Sequence, residues 1–464
     1  MIVGMKQTEI GFIPNEWDAL QFGEIFEIVK SFPFSRNKLI SEETSTKVQN
    51  IHYGDIHSKF TNNHLDFENE NVPYIIGDFL TDWHNQFLKN GDIVIADVSE
   101  DLIDIGKCIE VKNITNRKVL GGLHTIVARD RKKIITEGFG AYIFQHPEVR
   151  KELRSIATGM SVYGISKGNL NKLHIPIPPL PEQRKIAYVL STVQKAIEQQ
   201  DKLIRTTTEL KKALMQKLFT EGTKGEKQKL TEIGLVPESW EVVELGRYAF
   251  IENGYAFKSE DYIKTGIPLI RISNVSHGFF INNDNKYLPE EYLRIYEKFS
   301  LKKGDLIISL TRPVTSGGLK YCFVEEKDLP ALLNQRVGRF QIKKEERLSK
   351  DFLFHLVFSN YFVGELFKLF GSSSQQPNVS PSQLESFKVP IPLIDEQKEI
   401  ANFLFLLFNK SRKAEEKKQV LSDLFKTLLH ELMTGQRRVN EIEFEASSTE
   451  YQIKEQPLRI AAER

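Results

Sequence analysis

Apolar residues recur in alternating steps of four and three along two stretches of the chain, 186–218 and 400–432. This spacing is typical of the seam of a coiled coil. No glycine or proline interrupts either stretch before Gly222 and Gly435, so the sequence predicts two unbroken helices of about forty residues. The first seam series is Ile186, Leu190, Val193, Ile197, Gln200, Ile204, Thr207, Lys211, Leu214 and Leu218, and the second is Ile400, Leu404, Leu407, Ser411, Ala414, Lys418, Leu421, Phe425, Leu428 and Leu432.

The two stretches are copies of one another, aligned without gaps at an offset of 214 residues. Each copy opens with a strand marked by prolines, beginning at Ile175 or Val389, and then becomes helical. Polar seam positions of the first helix correspond to apolar positions of the second, as Lys211 does to Phe425. Neither helix would pair well with itself, so we interpret them as a pair within one molecule.

The repeat extends beyond the helices. The segment 8–17 recurs as 231–240, and the turn-then-strand patterns 51–57 and 91–96 recur as 270–276 and 304–309. The stretch 123–129 parallels 333–339, and 142–157 and 351–369 have helical patterns. Each half of the chain is therefore predicted to contain an α+β domain followed by a helix.

These patterns define the fold class and its boundaries. We predict an α+β protein in which two pseudo-symmetric domains are separated by two long helices that form an antiparallel coiled coil. The predicted divisions are a first domain at 1–172, a first helical region at 173–222, a second domain at 223–386, a second helical region at 387–436 and a mobile tail at 437–464. The segment 223–229 is predicted as a polar linker.

Composition excludes fewer classes of function than the repeat does. The 464 residues carry 63 Lys and Arg against 62 Asp and Glu, so net charge does not favour nucleic acid over other partners. The sequence shows no pattern of a signal peptide or membrane span, and we expect a cytoplasmic protein. Cys108 and Cys322 occupy equivalent places in the repeat and are predicted to be buried small hydrophobic residues.

Patterns of catalytic residues are weak. Asp97 with Glu110 and Lys112 is typical of a nuclease strand, but the second half has Val324 and Glu326 at the last two places. The chain has no phosphate-binding loop and no methyltransferase motif. We therefore predict no catalytic residue. His52, His57 and His64 suggest a metal site or a polar sheet edge, and we favour the polar edge, which predicts no metal ligand.

Loops that follow matched strands carry the candidate binding residues. The loop 98–101 corresponds to 311–314, and 158–164 corresponds to 372–378. Their side chains include types that contact base edges in DNA, and the alternative is that they are solvated turns. The predicted DNA-binding residues are His57, Ser99, Glu100, Ser161, Tyr163, Arg271, Asn274, Thr311, Arg312, Ser373, Gln375 and Gln376.

Together these features resemble the specificity subunit of type I restriction-modification systems. The motifs that carry the resemblance are 175–183 followed by Ile186 and Ala187, the copy at 389–401, the strand at Gly91 with Asp104-Ile-Gly106, and 376–380. The resemblance covers nearly the whole chain. In one departure, the first half has Gly-Met-Ser-Val-Tyr at 159–163, where the second half has serines, glutamines, proline and asparagine.

The resemblance implies a chain without activity of its own that binds double-stranded DNA at a bipartite, asymmetric target. It implies two modification subunits, which use S-adenosylmethionine to methylate adenine, and two restriction subunits, which use ATP and Mg²⁺. We predict that Glu182, Gln183, Glu396 and Gln397 bind these partners, with helix capping as the alternative. An autonomous nuclease or methyltransferase, and a coiled-coil scaffold without DNA function, are the competing interpretations.

Overall fold

The computed structural model describes residues 4–60, 62–77, 83–278, 280–281, 284–315, 318–370 and 378–439. The chain divides into two compact units. Unit 1 contains residues 1–200 and 417–464, and unit 2 contains residues 201–416. This division follows packing, whereas the predicted boundaries follow the sequence repeat. Each long helix contributes one segment to each unit.

Unit 1 is built from short strands, a few short helices and parts of the two long helices. Its strands are β1 Met5–Thr8, β2 Gly11–Pro14, β3 Asp18–Gln21, β4 Phe26–Val29, β5 Leu39–Ile40, β6 Val48–Ile51, β7 His64–Asp66, β8 Tyr74–Ile75, β9 Ile93–Ala96, β10 Val98–Ser99, β11 Cys108–Lys112, β12 Lys118–Gly121, β13 Thr125–Asp130, β14 Tyr163–Gly164 and β15 His174–Ile177. Its helices are α1 Phe22–Ile25, α2 Tyr53–Ser58, α3 Gly140–Ile143, α4 Pro147–Ile156 and α5 Lys167–Asn171, followed by the long helix α6 Leu180–Glu221.

Unit 2 has a related order of elements, which differs from that of unit 1 in some short strands and helices. Its strands are β16 Gln228–Thr231, β17 Gly234–Pro237, β18 Glu241–Glu244, β19 Ala249–Asn253, β20 Ile267–Ile270, β21 His277–Gly278, β22 Lys286–Leu288, β23 Leu306–Ser309, β24 Val314–Thr315, β25 Gly318–Leu319, β26 Tyr321–Phe323, β27 Leu332–Leu333, β28 Val337–Ile342 and β29 Lys388–Ile391. Its helices are α7 Tyr292–Ile295, α8 Lys350–Val357, α9 Asn360–Phe370, α10 Pro381–Glu385 and the second long helix, α11 Ile394–Met433.

The central sheet has the same strand order in both units. In unit 1 the order is β4-β13-β9-β11-β7, and in unit 2 it is β19-β28-β23-β26-β21. In both units the middle strand is a short run of buried residues, Ile93–Ala96 or Leu306–Ser309. Cys108 pairs with Ile95, and Cys322 pairs with Ile307. Both cysteines are buried and equivalent, as the sequence predicted.

A buried ion pair also recurs in the two sheets. Arg129 contacts Asp92 at 2.6 Å in unit 1, and Arg339 contacts Asp305 at 3.1 Å in unit 2. Both aspartates are almost fully buried, so each carboxylate depends on its arginine for compensation. The match between 123–129 and 333–339 in the sequence thus corresponds to a shared element of the sheet.

The two long helices pair in opposite directions. In unit 1 the start of α6, with Ile186 and Leu190, packs in one core with Leu432 near the end of α11. In unit 2 the end of α6, with Leu218, packs in one core with Leu404 near the start of α11. All seam positions named above are buried or partly buried, which confirms the predicted seam and the antiparallel coiled coil.

One local prediction was wrong, and the two stretches with helical patterns are confirmed as helical but are each divided in two. The stretch 51–57 is not a turn and strand, because Tyr53–Ser58 forms helix α2, whose first turn is capped by the His52 ring accepting from Gly54 N at 3.1 Å. The helical stretch at 142–157 is split into α3 and α4 because Pro147 begins a new helix. In unit 2 the stretch at 351–369 is split in the same way at Ser359, whose hydroxyl accepts from Phe362 N at 3.2 Å.

The linker and the beginning of the tail also differ from prediction. Thr223 N donates to Glu396 at 3.0 Å, and β16 starts at Gln228, so the segment 223–229 is anchored within unit 2. In unit 1, Arg438 is paired with Glu182 and Val439 is buried. The tail predicted from 437 therefore begins with fixed residues, and its remainder lies outside the described residues.

Candidate nucleic-acid interface

In unit 1, predicted DNA-binding residues from distant parts of the sequence meet at one edge. Strand β10 pairs with β14 in antiparallel register, Val98 with Gly164 and Ser99 with Tyr163. Because the strands are antiparallel, the residues after Ser99 and those before Tyr163 leave the pairing at the same end. We call residues 97–104 and 158–164 the unit-1 loop edge.

Helix α2 joins this edge through His57. The His57 ring nitrogen Nε2 lies 2.9 Å from Val98 O, and Lys107 Nζ donates to His57 O at 3.1 Å. The ring of His57 is partly buried, and Lys107 holds the end of its helix. These bonds place the histidine beside β10, as a DNA-contact role would require.

The other predicted residues of the unit-1 loop edge differ in accessibility. Glu100 and Ser161 are exposed, and Tyr163 is partly buried against the core. Ser99 is buried, and its hydroxyl accepts a hydrogen bond from Asp101 N at 3.1 Å. Ser99 therefore shapes the turn that presents Glu100, and direct base contact by its buried hydroxyl is not supported by its position.

In unit 2 the corresponding loop holds Thr311 and Arg312. Thr311 is buried and forms a β-bridge with Asn378, which is the counterpart of the pairing between β10 and β14. The turn is braced by the Ser309 hydroxyl donating to Thr311 O and by Lys320 N donating to Pro313 O, both at 2.6 Å. We call residues 310–315 the unit-2 loop edge.

Arg312 has an unusual backbone conformation. Its φ is 47°, in the left-handed region that non-glycine residues rarely adopt, and it precedes Pro313, which itself favours extended conformations for the residue before it. Such a conformation costs about 1–3 kcal/mol and persists only where the surroundings impose it. Strained residues of this kind concentrate at binding sites, and Arg312 is exposed.

The exposed guanidinium of Arg312 has no hydrogen-bond or ion-pair partner within the described part of the chain. Burial, and next the positive charge of Arg312, lower the pKa of the Lys320 ammonium. The two charges therefore interact, and the Lys320 ammonium itself donates to Ile272 O.

Arg271 and Asn274 are committed to their own loop. The Asn274 side chain is buried, accepts from Arg271 N at 3.1 Å and donates to Asn285 Oδ1 at 3.0 Å. Arg271 is paired with Asp284 at 2.8 Å. Hydrogen bonds and charge from Lys286 first, and then from Arg271, hold the pKa of Asp284 down at about 2. Asn274 is thus too buried to contact a base. Arg271 could contact a base only after its ion pair with Asp284 breaks.

The remaining predicted DNA-binding residues of unit 2, Ser373, Gln375 and Gln376, lie outside the described residues. Sequence reasoning also missed His124, which has a φ of 53° and lies beside the unit-1 loop edge. Its Nδ1 is 3.4 Å from Asp97 Oδ1, and its ring is 5.3 Å from that of Tyr53. Neither the positive φ nor this contact leaves a periodic signal in the sequence.

The predicted partner-binding glutamines have equivalent internal roles. Gln183 accepts from Thr136 N and donates to Ile134 O and Pro178 O, each at 2.8 Å. Gln397 likewise accepts from Ser349 N at 2.8 Å and donates to two carbonyl groups, those of Arg347 at 2.8 Å and Pro392 at 2.9 Å. Both side chains are fully buried, and they clamp the first helical turn to the preceding domain rather than cap it.

The neighbouring glutamates are buried as well. Glu182 accepts from Trp17 Nε1 at 2.9 Å and from Arg438 Nε at 2.7 Å. Glu396 accepts from Thr223 N and is 3.3 Å from Lys224 Nζ. Partner binding by all four residues stays a prediction, and a direct contact would require these buried side chains to become accessible.

The nuclease-like pattern has an internal role in unit 1. Glu110 is buried and accepts hydrogen bonds from Gly138 N and from Ala141 N, the latter at 2.8 Å, at the start of α3. Burial raises the pKa of Glu110 to about 7, against the opposing effect of those two bonds. The carboxylate thus anchors a helix instead of facing a cleft.

The histidines weighed as metal ligands are likewise engaged separately. His52 accepts from Gly54 N, His57 contacts Val98 O, and His64 Nε2 lies 3.0 Å from Gly138 O. The part of the chain that the structure describes contains no group of three or more His, Cys, Asp or Glu side chains placed to hold a metal ion. Among the described residues, no helix is both long enough and apolar enough to span a membrane.

The chain matches known proteins over most of its length. The family model described as "Type I restriction modification DNA specificity domain" matches residues 14–205 and 237–422. The MjaVIII type I restriction enzyme specificity subunit of Methanocaldococcus jannaschii is 33% identical over 377 residues, which cover 80% of this chain and 87% of the relative. The EcoKI specificity subunit of Escherichia coli K12 is 23% identical, over 86% of this chain and 83% of the relative.

A solved structure shares the fold. The crystal structure of a type I restriction-modification S subunit from M. genitalium superposes with a TM-score of 0.60, covering 90% of this chain and 96% of that chain at 16% sequence identity. The match spans both units of this chain. The duplicated architecture predicted from the repeat is therefore found in a known protein.

Proposed function

The chain belongs to the family of type I restriction-modification DNA specificity subunits, and on that premise we propose that it reads a bipartite DNA target with one unit for each half. The observation that carries the proposal is the contrast between a repeated frame and different loops. Both units share the sheet order, the buried ion pair and the glutamine clamp, whereas the two loop edges present unlike side chains. A shared frame with different contacts suits two half-sites of different sequence.

In unit 2 we assign base reading to Arg312. An arginine donates two parallel hydrogen bonds to O6 and N7 of guanine in the major groove, and each such pair contributes about 1–3 kcal/mol of discrimination. The exposed guanidinium, the strained backbone and the neighbouring Lys320 support this role. Unit 2 would then require a guanine in its half of the target.

The catalytic steps belong to partners in this proposal. The chain carries the DNA contacts and scaffolds two modification subunits, which bind S-adenosylmethionine and methylate adenine. Two restriction subunits supply ATP- and Mg²⁺-dependent DNA cleavage. The chain itself would need no cofactor and would act in the cytoplasm, where these partners meet DNA.

Exchange of one unit's variable segment tests the proposal. Residues 8–172 are replaced by the equivalent segment of a related specificity subunit, and the chain is expressed with its modification subunits. Methylation-sensitive genome sequencing of the host then gives the target. We expect one half-site to change and the other to stay the same. A change in both halves, or no methylation by a complex that assembles normally, would contradict reading by separate units.

A further inference from the structure

Large apolar side chains are exposed at the unit-1 loop edge. Met160 is 95% exposed, Val162 is 53% exposed and Ile103 is 64% exposed. Single exposed apolar residues are common on protein surfaces, but these three share one edge. Met160 and Val162 precede Tyr163, and Ile103 follows Ser99, so they lie beyond the same end of the β10–β14 pair.

The backbone holds this apolar group in place. Thr158 and Gly164 exchange two hydrogen bonds, of 3.0 and 2.8 Å, which close the turn that carries Met160. Gly159 has a φ of 133°, and a Cβ atom added there would lie 1.9 Å from Val162 O, so only glycine permits the turn. Arg150 of helix α4 donates to Ile105 O at 2.7 Å and to Ile103 O.

The surroundings favour DNA over a protein as the occupant. Three apolar side chains offer far less surface than the roughly 800 Å² that each partner of a stable protein interface buries. Their exposed neighbours are the Ser161 hydroxyl and the carboxylates of Glu100, Asp101 and Asp104, and a carboxylate accepts a hydrogen bond from the amino group of cytosine in the major groove. Arg154 and Lys167 are exposed cations on the helices before and after the turn, where they suit the phosphate groups of a duplex.

We propose that Met160 and Val162 contact the 5-methyl group of a thymine in the half-site read by unit 1. Thymine alone among the four bases presents a methyl group in the major groove, and apolar side chains recognise it there. Ile103 would exclude water from the contact. This inference rests on the proposed function, because it assumes that unit 1 reads DNA.

The test replaces thymine by uracil, which lacks only the methyl group. After the target has been established by methylation sequencing, duplexes are made with uracil at each thymine in turn. Binding of the full chain with its modification subunits is measured by fluorescence anisotropy. We expect one substitution in the unit-1 half-site to weaken binding about fivefold, the effect of losing one buried methyl group.

The double variant Met160→Ala/Val162→Ala links this loss to the turn. It should bind the thymine duplex about fivefold more weakly and lose nothing further on the uracil duplex. Phe12→Ala, an exposed apolar residue of strand β2 outside the loop edge, is the matched control and should behave as wild type. Thermal unfolding midpoints should be equal for all these proteins, because the altered side chains are exposed.

Three results would overturn the inference while leaving the proposed function intact. One is selective binding that tolerates uracil throughout the unit-1 half-site. Another is a uracil penalty that the double variant retains in full. The third is a double variant that binds DNA normally but no longer co-purifies with the modification subunits. That result would show that the apolar group contacts protein. Failure of the wild-type complex to select any sequence would instead contradict the proposed function.

Discussion

The two loop edges present opposite chemistry on the same frame. The unit-1 loop edge exposes Met160 and Val162 on a turn that only Gly159 permits, whereas the unit-2 loop edge exposes Arg312 in a strained conformation before Pro313. An apolar contact suits a thymine methyl group, and an arginine suits guanine. The difference indicates how a duplicated chain could read an asymmetric target without changing its core.

The two units also differ at equivalent positions of the helix seam, as Lys211 and Phe425 show. Phe425 lies in unit 1 with its ring 6.4 Å from that of Tyr142. Its counterpart Lys211 lies in unit 2, with Nζ 4.4 Å from the centre of the Phe358 ring and 5.0 Å from that of Phe408. Burial lowers the pKa of Lys211 to about 8, against the opposing charge of Glu415. Burial of the charged Lys211 at a seam position lowers the free energy of unfolding, whereas Phe425 carries no charge to desolvate.

The largest effect on stability is expected from the glutamine clamp, which both units share. Gln397→Ala leaves Ser349 N and the Arg347 and Pro392 carbonyl groups without partners inside unit 2, which should lower the free energy of unfolding by about 3 kcal/mol. Gln183→Ala should have the same effect in unit 1. Urea unfolding followed by fluorine NMR of 5-fluorotryptophan separates the units, because Trp240 reports unit 2 and Trp17 reports unit 1.

Gln199→Ala is the control for this pair, because Gln199 is exposed on helix α6. It should change the free energy of unfolding by less than about 0.5 kcal/mol. Loss of stability in only one of the two clamp variants would show that the repeated hydrogen bonds are not energetically equivalent.

Replacement of Arg312 should change DNA reading and stability in opposite directions. Arg312→Gly removes the guanine contact, which should reduce discrimination at one base pair by roughly 10- to 100-fold. Because glycine adopts positive φ without strain, the same change should raise the free energy of unfolding by up to about 1 kcal/mol. Anisotropy with single-base variants of the target and urea unfolding give the two values.

Arg294→Ala is the matched change for Arg312, since Arg294 is an exposed arginine of helix α7 outside the loop edge. It should leave base discrimination as in wild type. If Arg312→Gly kept full discrimination between bases and lowered the free energy of unfolding, Arg312 would not be a base-contacting residue.

A smaller, pH-dependent effect is expected from Lys211. Its pKa is about 8 in the folded chain against an ordinary value of 10.5, so between these pH values the unfolded chain binds more protons. The contribution of Lys211 to the free energy of unfolding should therefore rise as pH increases from about 8 to about 10.5, and it is read from the difference between wild type and Lys211→Met. Lys211→Met should abolish this rise and stabilise unit 2 at pH 7 by about 2 kcal/mol.

Phe425→Met provides the comparison in unit 1, where the seam position carries no charge. The difference in unfolding free energy between this variant and wild type should not depend on pH. A pH-independent difference for Lys211→Met as well would show that Lys211 is not desolvated in the folded chain.

The repeated features were the ones that the sequence could predict. The seam of α6 and α11, the proline-marked strands and the equivalence of Cys108 and Cys322 follow from periodicity and from internal alignment. These signals persist because a buried position constrains residue type in both copies. The duplication thus predicted the frame of both units.

The local exceptions could not be predicted in this way. Helix α2 depends on the His52 cap, and the burial of Ser99 and Asn274 depends on partners in distant or irregular segments. The positive φ of Arg312 is imposed by bonds to its neighbours and has no sequence period. Met160 and Val162 were not among the predicted DNA-binding residues, and no pattern in the sequence indicates that these apolar side chains are exposed.

The most direct test combines the segment exchange with the unit-2 variant. In a chain whose residues 8–172 come from a related specificity subunit, Arg312→Ala is introduced, and the methylated target is determined by sequencing the host genome. The account predicts that the half-site supplied by the new segment stays fully specified, while one guanine in the other half becomes tolerant of substitution. Relaxation in the exchanged half, or in both halves, would contradict the claim that each unit reads its own half with its own loop edge.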